Sequence, residues 1–144
     1  MSVSIKRVYL KPSPDDGARV LVDRLWPRGL KKEAAALDAW LRDLAPSDAL
    51  RTWFHEHPQQ RSKFRERYLK ELTSETAAKA LEQLYEIRNS SQRLTLLFAS
   101  KNEDYNNATV LRELVAGHRK PPTGTGPVRA AGARRARAAA RPRP

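Results

Sequence analysis

Three short apolar runs bracket a long stretch of helical periodicity. Residues 5–10 (IKRVYL) favour a β-strand and stop at KPSPDDGA, whose prolines and Asp-Asp-Gly mark a turn. Residues 19–25 predict a second strand. Residues 93–99 (RLTLLFA) predict a third, near-continuously apolar and of the kind that sits at the centre of a sheet covered on both faces. Only about eight residues separate the first two strands, fewer than the dozen or so of a parallel crossover. As direct neighbours they are therefore expected to be antiparallel, and if they run parallel another element must lie between them.

Between the second and third strands the apolar positions change to a helical period. Leu37, Trp40, Leu41 and Leu44 fall at i, i+3, i+4 and i+7, which predicts one face of a helix running from near Lys31 to just before Pro46. Ser47 suits the N-cap of a second helix with Leu50, Trp53 and Phe54 on one face, ending at His57 and Pro58. Pro58 fits the first turn of a third helix carrying Phe64, Tyr68 and Leu72. Thr73 or Ser74 caps a fourth with Ala77, Leu81, Leu84 and Tyr85, which stops at Asn89, Ser90 and Ser91. A last helix from about Asp104 uses Ala108, Leu111, Leu114 and Val115 and ends at Gly117, a natural C′ residue. The pattern predicts an α/β fold in which a small sheet of about three strands is covered by about five helices, with no internal repeat.

A length of 144 residues fits one domain with one core. The net charge of +12 changes the picture only at the C-terminus. From Arg119 onward there are eight Lys or Arg and no acid, which leaves 20 basic against 16 acidic residues for 1–118. We therefore expect a single globular domain over 1–118 and a disordered Arg/Ala/Pro-rich tail over 119–144, too poor in bulky apolar residues to offset its ordering entropy. Such a tail is either a solvated low-complexity extension or a nonspecific electrostatic arm for nucleic-acid phosphates. The absence of cysteine excludes a disulfide framework, a thiolate nucleophile and Cys-ligated zinc. No apolar run approaches the roughly 20 residues of a bilayer span, and the N-terminus lacks the apolar region of a signal peptide. A cytoplasmic location without membrane association is expected.

Candidate chemistry concentrates in residues 20–30 (VLVDRLWPRGL), where Asp23 and Arg24 interrupt an apolar strand. Burying a charge costs several kcal/mol unless it is paired, so these two belong to a strand end, an ion network or a binding site. In α/β sheets ligands bind beyond the carboxyl ends of the strands. Here one such end supplies Asp23, Arg24, Trp26 and Arg28, and the end of the third strand supplies Ser100, Lys101, Asn102 and Glu103 ahead of a helix N-terminus that favours an anion. If the strands are parallel neighbours these groups converge. Asp23 and Glu103 are then the candidate catalytic carboxylates, with Arg24, Trp26, Arg28, Lys101, Asn102 and Asn106 as candidate ligand-binding residues. The structural alternative pairs Asp23 with Lys101 or Arg28 and buries Trp26 in the core.

Other features carry less. His55 and His57 would point about 200° apart on a helix and cannot easily grip one ion, so no metal is expected. Ser100 has no G-x-S-x-G elbow around it, and Walker A and G-x-G-x-x-G turns are absent, so no cofactor is expected. Trp40, Trp53, Phe54, Phe64 and Tyr68 have core spacing rather than that of a base-stacking platform. The cations of 61–70 are interrupted by Glu66 and read as a solvated helix face.

The segments RVLVDRLWPRG, LDAWLRDLAPS, the Trp53-Phe54 pair and LLFASKNEDYNNATVL together resemble the YeaO-like branch of the family called domain of unknown function 488. The likeness spans about residues 4–116. It implies a small bacterial α/β protein with no assigned activity, so it speaks to fold more than to function. The chain departs from that branch at Asn102 and Tyr105, where the resemblance leads one to expect an acidic residue and a histidine, and its basic tail lies outside the family pattern.

The expected function is that of a small α/β protein, enzymatic or not, binding a small phosphate- or carboxylate-bearing ligand at the polar strand ends. Nucleic-acid association through the basic tail is the alternative, and an interaction module without a small ligand is a third. Nothing in the pattern specifies an oligomeric state.

Overall fold

The computed structural model describes residues 2–117, and the tail expected over 119–144 lies outside the described residues. Its elements in chain order are β1 (Ser2–Arg7), β2 (Ala18–Leu21), α1 (Lys32–Ala35), β3 (Ala39–Trp40), α2 (Asp48–Glu56), α3 (Arg61–Glu71), α4 (Glu75–Asn89), β4 (Arg93–Phe98) and α5 (Asn107–Gly117). The sheet has four strands in the order β1-β4-β2-β3, all parallel. The α/β class is as the hydrophobic pattern predicts, with one strand more. Among the described residues no helix is long and apolar enough to cross a membrane.

Of the two arrangements open to the first two strands, the structure shows the parallel one, with another strand between them, and not the antiparallel pairing of direct neighbours. β4 lies between β1 and β2, so Val20 pairs with Leu96 and Ile5 also pairs with Leu96 from the other side. Insertion of the most apolar strand at the centre allows a short connection to join two parallel strands that do not touch. That connection contains a 3₁₀ turn, Pro14–Asp16, closed by a reciprocal bond set between Ser13 and Asp16. Gly17 follows with φ of +65°, and a Cβ there would lie 2.3 Å from the Arg93 carbonyl oxygen, so only glycine fits this approach of β2 to β4.

The helix expected over 31–45 is also corrected. α1 is one turn long, Ala36 is left-handed with φ of 48°, and Ala39–Trp40 adds to the sheet as β3 before a 3₁₀ turn at Arg42–Leu44. Tertiary bonds outweigh local periodicity here. Arg19 donates from Nε and Nη2 to the Ala35 carbonyl at 3.1 and 2.7 Å, capping α1, while the Asp38 carboxylate accepts the Arg19 backbone N–H at 2.7 Å. The four apolar residues with helical spacing consequently part. Leu37 and Trp40 pack under the sheet with Val8, Leu21 and Leu97, whereas Leu41 and Leu44 join the larger core above it.

That larger core lies between the other sheet face and α2 to α5, with Val20, Val22, Leu94, Leu96 and Phe98 meeting Phe54, Phe64, Leu84 and Leu111. The predicted caps form: Ser47 Oγ accepts from the Leu50 N–H at 3.1 Å and Ser74 Oγ from the Ala77 N–H at 3.3 Å. Pro58 lies in the turn before α3 rather than inside it. Beneath the sheet the remaining inward positions are polar. Asp16 accepts from Lys6 Nζ at 3.0 Å and from Arg19 Nη1, forming an ion triad in which Asp16 and Arg19 are 7% and 4% exposed.

Candidate functional site

The chain leaves β2 toward the smaller core, where Trp26 and Leu30 pack, and leaves β4 toward α5 on the opposite face. The carboxyl ends of these adjacent strands therefore mark the place where the sheet's connections diverge, the position at which open α/β sheets form a binding crevice. Asp23 fills it. One carboxylate oxygen accepts the Ala99 backbone N–H at 2.8 Å, and the other accepts from Asn107 Nδ2 at 3.3 Å. The same Asn107 amide donates to the Val22 carbonyl at 3.0 Å, and Trp40 Nε1 donates to the Asp23 carbonyl at 2.8 Å. Asp23 thus ties β2, β4, α5 and the end of β3 together. Burial is the dominant influence on its carboxyl and raises its pKa above the usual aspartate value, with the Ala99 and Asn107 bonds and the Arg51 charge pulling the other way. Among the described residues it forms an ion pair with neither Lys101 nor Arg28.

The other candidates do not gather around it. Trp26 donates from Nε1 to the Leu30 carbonyl at 2.6 Å and packs edge-on against Trp40 with ring centroids 5.4 Å apart, so it is a wall of the smaller core. Arg28 is exposed, and its carbonyl accepts the Tyr9 O–H at 3.0 Å near the β1 end of the sheet. Asn102 Oδ1 accepts the N–H groups of Asp104 and Tyr105 at 3.1 and 3.3 Å, which closes the turn after β4. Asn106 is buried, donates to the Asn102 carbonyl at 2.8 Å, and accepts the Ala108 and Thr109 N–H groups at 2.9 and 3.3 Å. These helix-terminal donors, expected to face an anion, are already occupied by Asn106. Lys101 and Glu103 are exposed and make no side-chain hydrogen bond among the described residues.

Arg24 takes a different direction from Asp23. It lines a cavity of about 360 Å³ whose wall also includes Asp43, Ser47, Glu71, Ser74 and Thr76. α2 and α4 both begin at this cavity. Glu71 is committed within the wall, accepting the Ser47 N–H at 2.8 Å and donation from Ser47 Oγ at 2.6 Å. Arg24 is exposed and has no ion-pair partner among the described residues. Sequence reasoning found Ser47 and Ser74 only as helix caps and missed Asp43, Glu71 and Thr76, which carry no local motif. It also missed Asn107, whose role depends on a contact 84 residues away in the chain. His57 stacks on Trp53 with ring centroids 5.0 Å apart, and its Nδ1 lies 2.9 Å from the Trp53 carbonyl oxygen.

The comparisons with known proteins agree on one family. The chain is 44% identical over 114 residues to the uncharacterized protein YeaO of Escherichia coli, an alignment covering 78% of this chain and 96% of that protein. It is 38% identical over 117 residues to the uncharacterized proteins Rv3073c of Mycobacterium tuberculosis and Mb3100c of Mycobacterium bovis, covering 80% of this chain and 94% of each. No solved structure matches it. Residues 2–125 match the family model described as the inactive DUF488-N3 subclade, and with its YeaO likeness the chain belongs to that branch of the DUF488 family.

Proposed function

We propose that this protein is a non-catalytic binder of a small ligand bearing a phosphate or carboxylate group, held in the cavity that Arg24 lines. The observation that carries the reading is Arg24 itself, an arginine without an ion pair among the described residues, placed just beyond the end of β2 on the wall of a cavity lined by both polar groups and the apolar Ala45, Leu72 and Ala77. Ser74 and Thr76 add hydroxyl groups, and Asp43 selects for a ligand that also presents a donor, such as a hydroxyl or an amine. Asp23 has both carboxylate oxygens engaged by the protein's own donors, so it serves to fix the end of β2 and thereby to position Arg24. The word "inactive" in the family description accords with a binding role rather than a catalytic one. Glu103 and Lys101 fall outside the cavity wall.

The test is a thermal-shift screen with inorganic phosphate, phosphoserine, glycerol phosphate and succinate. A ligand at about 100 times its Kd adds about 2.7 kcal/mol to stability, enough for a rise of several degrees. Arg24→Ala should abolish that rise while costing less than about 1 kcal/mol of stability, because its side chain is exposed and unpaired. Any effect of anions on the Arg-rich C-terminal segment would be the same in parent and variant, so it cannot produce a shift that depends on Arg24. A shift that survives Arg24→Ala, or a parent that responds to none of the panel, would refute the proposal.

A further inference from the structure

β1 is an edge strand whose backbone is half unused. Its even-numbered residues face β4, with the Ser2 N–H donating to the Gln92 carbonyl at 3.2 Å and the Val8 N–H to the Phe98 carbonyl at 2.8 Å. By the two-residue period the N–H and C=O groups of Val3 and Ile5 point away from the sheet. None of these four groups has a hydrogen-bond partner among the described residues. The Arg7 carbonyl, which would extend the row, is taken by the Leu10 N–H at 3.1 Å.

Natural edge strands are usually guarded by a bulge, a proline or a free charge. β1 has none of these. Its register with β4 is unbroken from Ser2 to Arg7, and the segment contains no proline. Both of its cations are engaged within the protomer: Lys6 Nζ bonds Asp16 and donates to the Lys11 carbonyl at 2.8 Å, and Arg7 donates from Nε and Nη2 to the Ser100 and Ala99 carbonyls at 3.1 and 3.0 Å. The guard that charge would provide is therefore turned inward.

The geometry points to a second copy of this chain as the occupant of the edge, paired antiparallel through β1 about a two-fold axis at Ser4. In the register that satisfies both groups of Val3 and both of Ile5, Val3 of each protomer exchanges both hydrogen bonds with Ile5 of the other, which makes four bonds across the interface and leaves the outward Arg7 N–H outside the exchange. Ser4 then faces Ser4, Lys6 faces Ser2, and no like charges stand opposite one another. Val3 and Ile5, each half-buried and packed against the larger core, extend that core across the junction. A strand pair alone buries less than the roughly 1,200 Å² of a stable interface, so the dimer should exchange with monomer and depend on concentration.

The chain's lack of cysteine makes the decisive test clean. In the proposed register the two Ser4 Cα atoms form a non-hydrogen-bonded antiparallel pair about 4.5 Å apart, within disulfide range, whereas the two Ser2 positions lie about 14 Å apart. Under mild oxidation full-length Ser4→Cys should crosslink predominantly to a dimer and Ser2→Cys should not. Light scattering over a concentration series should show the parent's mass rising toward twice the monomer. Val3→Pro removes an outward donor without breaking the β4 ladder, and loss of two such bonds per dimer should weaken association roughly thirtyfold. A parent that remains monomeric, equal crosslinking of the two cysteine variants, or a folded Val3→Pro variant that dimerises as well as the parent would overturn the proposal. If Val3→Pro fails to fold, the cysteine pair decides alone.

Discussion

Asp16→Ala is expected to cost about 3–5 kcal/mol of folding free energy, enough to lower the melting temperature by roughly 10–20 °C. Removing this carboxylate leaves the nearly buried Arg19 guanidinium and the half-buried Lys6 ammonium without their shared anion, and it removes the acceptor of the Ser13 N–H. The pH dependence follows from the same contacts. Burial, the largest influence, pushes the Asp16 carboxyl up, but the Ser13 N–H, Lys6 and Arg19 together outweigh it and hold its pKa below the usual value. Its folded pKa being below its unfolded one, Asp16 contributes stability above the ordinary aspartate value, and that contribution is lost as pH falls through the folded value. Denaturant titrations at neutral and acid pH should therefore show parent and variant converging as the solution is acidified. A neutral-pH loss below about 1 kcal/mol would show that the triad is not a buried ion network.

Asp23→Ala should destabilise the protein by about 2 kcal/mol, because it strands the Ala99 N–H and one bond of the Asn107 amide at the junction of β2, β4 and α5. Relief of the buried charge offsets part of the loss, which is why the effect is smaller than at Asp16. Asp23→Asn is expected to rescue only partly, since its amide nitrogen would face one of the two donors. The titration runs in the opposite direction to that of Asp16. The folded pKa of Asp23 is raised, so its contribution becomes more favourable as pH falls through that raised value toward the ordinary one. A pH–stability profile of Asp23→Ala should lack that acid-side gain. An unchanged profile with unchanged stability would mean that the carboxylate does not tie the strand ends together.

The elements legible in the chain were those specified by local chemistry. The run at 93–99 is the central strand because near-continuous apolar character has no place to go except a position buried on both faces. Ser47 and Ser74 marked true helix starts because a cap bonds to a residue only three positions away. What could not be read depends on distant partners. Leu37, Trp40, Leu41 and Leu44 have helical spacing, yet Arg19 stops α1 and Asp38 docks the chain beside β2, so β3 replaces the expected helix. The parallel relation of β1 and β2 likewise depends on a strand some 70 residues later. Within the candidate site, Asp23 and Arg24 stood out as charges in an apolar run, but β2 ends at Leu21 and Arg24 falls in the bend that follows, so the direction of its side chain is set by the loop and not by a strand period. Asp23 accordingly enters the junction while Arg24 goes to the cavity, and the single constellation expected of them separates into two places.

The central claim is that an anionic group binds at Arg24 and not at the turn after β4. Amide and arginine-side-chain chemical shifts of the isotope-labelled full chain, followed while phosphoserine, glycerol phosphate and succinate are titrated in turn, test it most directly. At least one titration is predicted to move the Arg24 Nε–H together with the amides of Ser47, Ser74 and Thr76, in a saturable manner lost in Arg24→Ala, while the amides of Lys101 and Glu103 stay in place. Saturable shifts centred on Lys101 to Glu103, or no shift at Arg24 with any of the three, would contradict it.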